Sequence, residues 1–248
     1  LFTTNLLNFF FPKMKKLYGV DKINNHAHKD NFYHTLEVLD NVSKTSNSLW
    51  LRWSAILHDI AKPLTKRYNE KSGWTFHGHE DLGAKIVPKI FRSLKLPLNE
   101  KMKYVQKLVK LHLRPIALVN NNITDSAVRR LLFEAGEDIQ DLMLLCRADI
   151  TTKNPKKAIK YLKNFDMVEK KMEIVEGNDK VKNFQPPVSG EEIIHIFAIK
   201  PSKVIGILKN EIKEQILDGK IKNNKKEAMD LLIKLGESHG LKPLKQIL

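Results

Sequence analysis

A histidine and an aspartate stand side by side, His58-Asp59, in the apolar run from Trp50 to Lys62. Burying a charged carboxylate or an unpaired imidazole is unfavourable unless a partner compensates it. A bound metal ion would compensate both groups at once. The pair therefore predicts a metal site, provided that further ligands occur in similar surroundings.

Such residues do occur in other apolar segments. His34 precedes the pair, and His79, His112 and Asp149 follow it. At 100° per residue, His112 projects to one side of its helix and a group of cations to the other, namely Lys103, Lys107, Lys110 and Arg114. Each inward residue alone is more often an ordinary hydrogen-bonded core residue. Together, on separate helices, they favour a metal centre.

Imidazole and carboxylate ligands together suit transition metals better than calcium or magnesium. The sequence therefore predicts one or two divalent ions of manganese, nickel, cobalt, iron or zinc, with magnesium as a further candidate. A bound divalent ion polarises a phosphoryl oxygen and lowers the pKa of its water. This chemistry is compatible with phosphoester hydrolysis but does not by itself select it.

The charge of the chain predicts a polyanionic partner. Its 248 residues include 43 Lys and Arg against 28 Asp and Glu, a formal net charge of +15. This excess favours nucleic acid first and an anionic membrane second, while a basic protein without such a partner is the alternative. The only cysteine, Cys146, excludes an internal disulfide and a cysteine-rich zinc site. The single cysteine fits a reducing cytoplasm, where we expect the protein to work. No apolar segment is long enough to cross a bilayer, and we expect no membrane partner.

Helical periodicity dominates the chain and predicts an all-α protein with roughly a dozen helices. Pro63 is expected to end the helix that carries His58-Asp59. Ser189-Gly-Glu-Glu192 has the spacing of a capping box, and Gly236 is expected to end the last helix. The segment 67–78 is the expected extended or irregular stretch, and 183–189 the expected linker.

The order His, His-Asp, His, His, Asp, centred on Leu57-His-Asp-Ile-Ala-Lys62, resembles the HD domain of metal-dependent phosphohydrolases. More narrowly, the chain resembles the C-terminal part of bacterial tRNA nucleotidyltransferases, the CCA-adding enzymes, and of related poly(A) polymerases. The phrases that carry this narrower resemblance span residues 32–39, 58–63, 76–80, 110–115, 126–131, 189–193, 206–209 and 216–219.

The resemblance implies two ligand groups: His34, His58, Asp59 and Asp149 for a first ion, and His79 and His112 for a second ion or the substrate phosphate. The candidate catalytic residues are Asp59, Lys62, His79 and His112. Lys62 matches a lysine near the phosphate, and a solvated helix end is its alternative role. His79 or His112 is a candidate proton donor by residue type.

The resemblance also implies an organisation. We expect a remnant neck or linker helix at 1–25, an HD-domain helical core at 26–182 and a small C-terminal helical RNA-binding region at 183–248. Candidate RNA contacts are Lys103, Lys107, Lys110, Arg114, Arg129, Arg130, Lys209 and Lys213. A merely solvated basic face is the alternative for each of these groups.

The sequence contains no Asp-x-Asp pair of the kind that a nucleotidyltransferase head carries. Because the chain also begins with Leu, we expect a region whose head has been removed, and we expect it not to add nucleotides to RNA. The leading interpretation is the HD region of a tRNA nucleotidyltransferase-like or poly(A) polymerase-like protein. It would hydrolyse a phosphomonoester, a phosphodiester or a 2′,3′-cyclic phosphate and bind tRNA or other RNA. The alternatives are a stand-alone HD nucleotide phosphohydrolase and a non-catalytic RNA-binding scaffold.

Overall fold

The computed structural model describes residues 1–23, 26–120, 123–182 and 184–244. Helices dominate these residues, and each strand is two or three residues long, so the predicted all-α fold is confirmed. The helices are α1 Leu7–Phe10, α2 Pro12–Lys15, α3 Asn31–Thr45, α4 Leu49–Leu57, α5 Lys62–Thr65, α6 His79–Ser93, α7 Glu100–Leu111, α8 Arg114–Asn120, α9 Asp125–Ala135, α10 Ile139–Ala148, α11 Pro155–Asp179, α12 Gly190–Phe197, α13 Lys203–Leu217 and α14 Lys225–Ser238.

Two antiparallel hairpins complete the secondary structure of the described residues. Strands β1 (Lys22–Ile23) and β2 (His26–Ala27) form the first. Strands β3 (Arg67–Asn69) and β4 (Gly73–Thr75) form the second, inside the segment predicted to be extended or irregular. That prediction is confirmed.

The chain forms two compact units. The first contains Leu1–Asn120 and Glu137–Val168, and the second contains Asn121–Gly136 and Glu169–Leu248. These divisions follow backbone contacts, and the functional boundaries at residues 25 and 182 stay predictions. Within the described parts of the chain, no helix combines the length and the hydrophobicity needed to cross a membrane.

The core of the first unit lies among α3, α4, α6, α7 and α10. Leu57, Val87, Phe91 and Val109 are almost completely buried there. The N-terminal apolar stretch adds the buried side chains of Leu7, Phe11, Met14 and Leu17 to the same cluster. This stretch forms two short helices and not the single neck helix that was predicted, since a new helix begins at Pro12, where the missing N–H costs little.

The helix before the His-Asp pair also differs from the prediction. It ends at Leu57, with His58 as its C-cap, and Asp59 lies in the tight turn that follows. Pro63 does not end this helix but lies in the first turn of α5, where proline is tolerated. The pair therefore occupies a helix end, where side chains have more freedom of direction than inside a helix.

Helices α12, α13 and α14 of the second unit bury Ile193, Leu208, Ile212 and Leu232. The predicted capping box at Ser189 is confirmed, with both reciprocal hydrogen bonds present. In the predicted linker, Asn183 lies outside the described residues, whereas Phe184 and Val188 are buried.

The expected stop at Gly236 is wrong, because α14 continues to Ser238. A Cβ at this position would overlap the buried ring of Phe197. Gly236 therefore serves the packing of α12 against α14 and does not end the helix.

Candidate metal centre

The side chains predicted as metal ligands lie at or beside helix ends of the first unit. They are His34 in the first turn of α3, His58 and Asp59 just after α4, His79 at the start of α6, His112 just after α7 and Asp149 just after α10. Helix ends leave backbone carbonyl groups unpaired. At the C-terminal ends of α4 and α7, such carbonyls are available to orient the rings of His58 and His112.

Three of the imidazole rings are fixed in the same way. The Nδ1 atoms of His58, His79 and His112 each donate to the carbonyl oxygen three residues earlier, at 2.8, 2.7 and 2.7 Å. A carbonyl oxygen can only accept, so the proton is on Nδ1 and the lone pair of the neutral ring is on Nε2. Such an outer hydrogen bond is the usual support of a metal-binding histidine.

The Nε2 atoms converge on the carboxylate of Asp59. Its Oδ2 lies 3.4 Å from His34 Nε2 and 3.2 Å from His58 Nε2. Its Oδ1 lies 3.2 Å from His79 Nε2 and 3.9 Å from His112 Nε2. Asp59 thus belongs to two groups of three potential ligands, and the ligand atoms of each group lie within 4.8 Å of one another.

Asp149 adds a second carboxylate on the side of His34 and His58. Its Oδ1 lies 2.9 Å from His34 Nε2 and 3.6 Å from His58 Nε2. Its side chain is 26% exposed, whereas that of Asp59 is 1% exposed. The first ligand group is therefore reached by solvent on the Asp149 side.

Burial and neighbouring charges shift the pKa values of several groups in the cluster. Burial alone would lower the pKa of His58, but the charge of Asp59 and the contact with Asp149 outweigh it and raise this pKa to about 10. Burial and the nearby charge of His58 lower the pKa of His112 to about 4. Burial opposes ionisation of Asp59, yet the charges of His58 and Lys62 hold its pKa well below the usual range. The two carboxylates thus favour a positive charge beside His58, either a proton on its Nε2 or a bound cation.

The donor set fits a divalent ion. Among the described residues, His58 Nε2 and Asp59 Oδ2 are buried without a hydrogen bond of good angular geometry, although they are 3.2 Å apart. Lys62 Nζ also lies 2.6 Å from Asp59 Oδ2 as an ion pair. An ion would take the nitrogen and the oxygen as ligands and supply the positive charge that the carboxylates require.

Comparison with known proteins agrees with this geometry. The profile of the HD domain family matches residues 31–154, half of the chain. The chain belongs to the HD domain family. The resemblance seen in the motifs is therefore confirmed, and membership supports divalent metal binding by this His and Asp cluster.

Its curated relatives include tRNA nucleotidyltransferases. The A-adding tRNA nucleotidyltransferase of Deinococcus radiodurans is 28% identical over 206 residues, which cover 81% of this chain and 45% of that protein. The CC-adding tRNA nucleotidyltransferase of Thermus thermophilus is 26% identical over 239 residues, which cover 92% of this chain and 50% of that protein. The chain spans about half the length of these relatives.

Two polar residues of the HD domain site carry no recognisable signal in the sequence. Thr151 Oγ1 lies 3.0 Å from His34 Nδ1 and accepts from Lys29 Nζ at 3.0 Å. His34 thus receives from a hydroxyl the support that the other three histidines receive from a carbonyl. Lys29 and Thr151 are 122 positions apart in the sequence, so only the packing of α3 against α10 reveals this contact.

The predicted RNA contacts are distributed over both units. In the first, Lys103 pairs with Glu100 and Lys107 with Asp138, each at 2.7 Å, while Lys110 and Arg114 are exposed.

In the second unit, Arg129 donates to Asp179 at 2.7 Å, and Arg130 pairs with Glu214 and Asp218. Lys213 lies over the ring of Phe133, and Lys209 is half-buried. Several of these cations thus already have acidic partners, and their role in RNA binding stays a prediction.

Proposed function

We propose that this HD domain is a metal-dependent phosphohydrolase that acts on a phosphomonoester, a phosphodiester or a 2′,3′-cyclic phosphate. The observation that carries the proposal is the position of Asp59, whose two oxygens face two separate pairs of Nε2 atoms. This arrangement suits one ion, or two ions that share a carboxylate.

In this proposal, His34, His58, Asp59 and Asp149 hold the first ion, and His79 and His112 hold a second ion or the substrate phosphate. A bound divalent ion supplies Lewis acidity toward a phosphoryl oxygen. The carbonyls behind Nδ1 keep the rings in place, so little reorganisation is needed when substrate binds. The ammonium group of Lys62 lies 2.6 Å from Asp59 Oδ2, and in this proposal it contacts an oxygen of the substrate phosphate.

We further propose that the chain is the HD region of a tRNA nucleotidyltransferase-like protein that works in the cytoplasm on tRNA or other RNA. The support is the similarity to the A-adding and CC-adding enzymes over most of this chain. Residues 1–25, 26–182 and 183–248 would then serve as neck, HD domain and RNA-binding region. The net charge of +15 agrees with a polyanionic partner.

The test is a measurement of metal content together with turnover. Protein loaded with manganese, nickel or cobalt is assayed on phosphomonoesters, phosphodiesters and 2′,3′-cyclic nucleotides. We expect Asp59→Asn to lose most of its metal and at least about a hundredfold in turnover, since a neutral amide is a weak ligand. Asp218→Asn in the second unit is the matched control and should match the parent.

Metal binding as tight in Asp59→Asn as in the parent would contradict the assignment. Full metal occupancy without turnover on any substrate would favour the non-catalytic RNA-binding scaffold. Turnover of small nucleotides with no affinity for tRNA would favour the stand-alone nucleotide phosphohydrolase. Affinity for tRNA is measured as a function of salt, because phosphate contacts release counterions and weaken steeply as salt rises.

A further inference from the structure

One face of the β3–β4 hairpin is aromatic. Tyr68 and Trp74 are direct partners in the ladder, so their side chains lie on the same face. Lys66 and Phe76 stand two positions beyond them, and the period of two along a strand places them on that face as well. We call Tyr68, Trp74 and Phe76 the aromatic strip.

Ring contacts run continuously along the strip. The rings of Tyr68 and Trp74 are 5.3 Å apart between centroids. His28 lies between Trp74 and Phe76, at 5.5 and 5.6 Å, with its ring nearly perpendicular to both. The side chain of His28 is only 6% exposed, whereas the three residues of the strip remain partly exposed. His28 therefore packs perpendicular to Trp74 and Phe76, and part of each residue of the strip stays exposed to a ligand.

The strip begins beside the metal centre. Lys62 Nζ lies 5.6 Å from the centroid of Phe76 and 2.6 Å from Asp59 Oδ2. The carbonyl oxygen of Phe76 also accepts from His79 Nδ1 at 2.7 Å. A molecule that places a phosphate at the metal centre would therefore have its next groups close to Phe76.

Basic side chains lie beside the rings of the aromatic strip. Lys66 Nζ lies 5.3 Å from the centroid of Trp74 and pairs with Asp21, whose side chain is 54% exposed. An ion pair this exposed is weak, so exchanging the carboxylate for a phosphate costs little. The segment 62–76 contains four basic residues against one acidic residue. The strip therefore combines aromatic faces with an excess of positive charge.

We propose that the aromatic strip is a stacking subsite for the bases of a single-stranded RNA whose terminal phosphoester lies in the metal centre. The inference rests on the proposed function for its choice of RNA. Every nucleobase has a π-face, so aromatic rings with adjacent cations bind single strands with little sequence preference. A base-paired duplex would not present its bases to the strip in this way.

The decisive experiment measures binding without any metal. The full chain in EDTA is titrated with a short single-stranded RNA and with an abasic strand of the same number of phosphates. Fluorescence anisotropy reports affinity, and quenching of tryptophan emission reports stacking. We expect the RNA to bind more tightly than the abasic strand and to quench the emission, and the quenching should be lost in Trp74→Phe.

Variants separate stacking from folding. Trp74→Leu keeps an apolar side chain but no aromatic face, and we expect it to weaken RNA binding by about fivefold to a hundredfold. Trp74→Phe should restore most of the affinity. Tyr161→Leu, which changes an aromatic residue 39% exposed on α11, is the matched control and should change little. Tyr68→Leu is the second variant and should also weaken binding if Trp74→Leu does not fold.

Equal affinity for RNA and abasic strand, or unchanged affinity in folded Trp74→Leu and Tyr68→Leu, would overturn the proposal. Metal-loaded turnover then distinguishes it from the proposed function. Trp74→Leu should lower kcat/KM for the oligonucleotide but not for p-nitrophenyl phosphate, and an equal loss on both would indicate a structural role. If no phosphoester is hydrolysed but RNA binding depends on Trp74, the proposed function fails and the stacking subsite stands.

Discussion

The two units each contain a cluster of charged residues, and the two clusters differ in burial. The first buries His58, Asp59 and His112 at 3% exposure or less. The second places Arg130, Glu214 and Asp218 in ion pairs that keep about a third of each side chain exposed, at 35%, 36% and 34%. Burying charges is costly unless they are fully compensated, while exposed pairs cost and contribute little.

This difference indicates that the first unit gives up some stability to hold a chemically reactive cluster. The buried cluster of the first unit brings two carboxylates close to four imidazoles, and its two unsatisfied polar atoms would be compensated by an ion. The pairs of the second unit have complementary partners and need no further group. We therefore expect ligands to stabilise the first unit, whereas changes in packing and caps should dominate the second.

The largest expected effect is that of metal on the first unit. At an ion concentration a hundred times Kd, binding should stabilise the folded state by about 2.7 kcal/mol. Amide hydrogen exchange should slow in α3, α4, α6, α7 and α10 and change little in α12–α14. The Asp59→Asn variant should show no protection on addition of metal. Equal protection of both units in the parent would contradict the expectation that metal stabilises only the first unit.

The same substitution, glycine to alanine, can be made at one packed glycine in each unit, and its effects on unfolding free energy and metal affinity can be compared. Gly236→Ala forces a Cβ against the Phe197 ring and should destabilise by about 1–3 kcal/mol without changing metal affinity. Gly83→Ala places a Cβ 3.1 Å from Val109 Cγ1, between α6 and α7, which carry His79 and His112. Gly83→Ala should lower the free energy of unfolding, measured with urea, by less than Gly236→Ala does. It should nevertheless weaken metal binding. The reverse pattern would show that α6–α7 packing does not position the site.

A helix cap should matter to an intermediate degree. Ser189 accepts from the amide of Glu192 in the capping box, and its replacement by Ala should cost about 1 kcal/mol. Ser202 is also an N-cap residue, of α13, but makes no side-chain cap hydrogen bond. Ser202→Ala is therefore the control, and equal losses in thermal denaturation would show that the capping bond contributes nothing.

The smallest expected effect is that of the exposed ion pair. A double-mutant cycle of Arg130→Gln and Glu214→Gln should give a coupling of about 0.2–1 kcal/mol that declines as salt is added. Metal affinity should not change in any of these variants. A coupling well above this range, insensitive to salt, would mean that the pair behaves as a buried one.

Local sequence determined the helices and many of their ends. The capping box at Ser189 could be predicted because its hydrogen bonds join residues only three positions apart. The inward direction of His112 followed from helical periodicity, since Lys103 and Lys110 occupy the exposed side of α7. These features depend on interactions within one element, which sequence patterns report directly.

The tertiary structure decided the rest. The sequence predicts that Pro63 and Gly236 end helices, and both predictions are wrong. Packing ends α4 earlier, at Leu57, and it places Gly236 against the Phe197 ring within α14. The sequence motif predicted the ligands. Only the fold places Asp59 between the two histidine pairs and brings the Thr151 hydroxyl to Nδ1 of His34. These contacts join residues far apart in the chain, and their distances depend on how several helices pack, which no local pattern encodes.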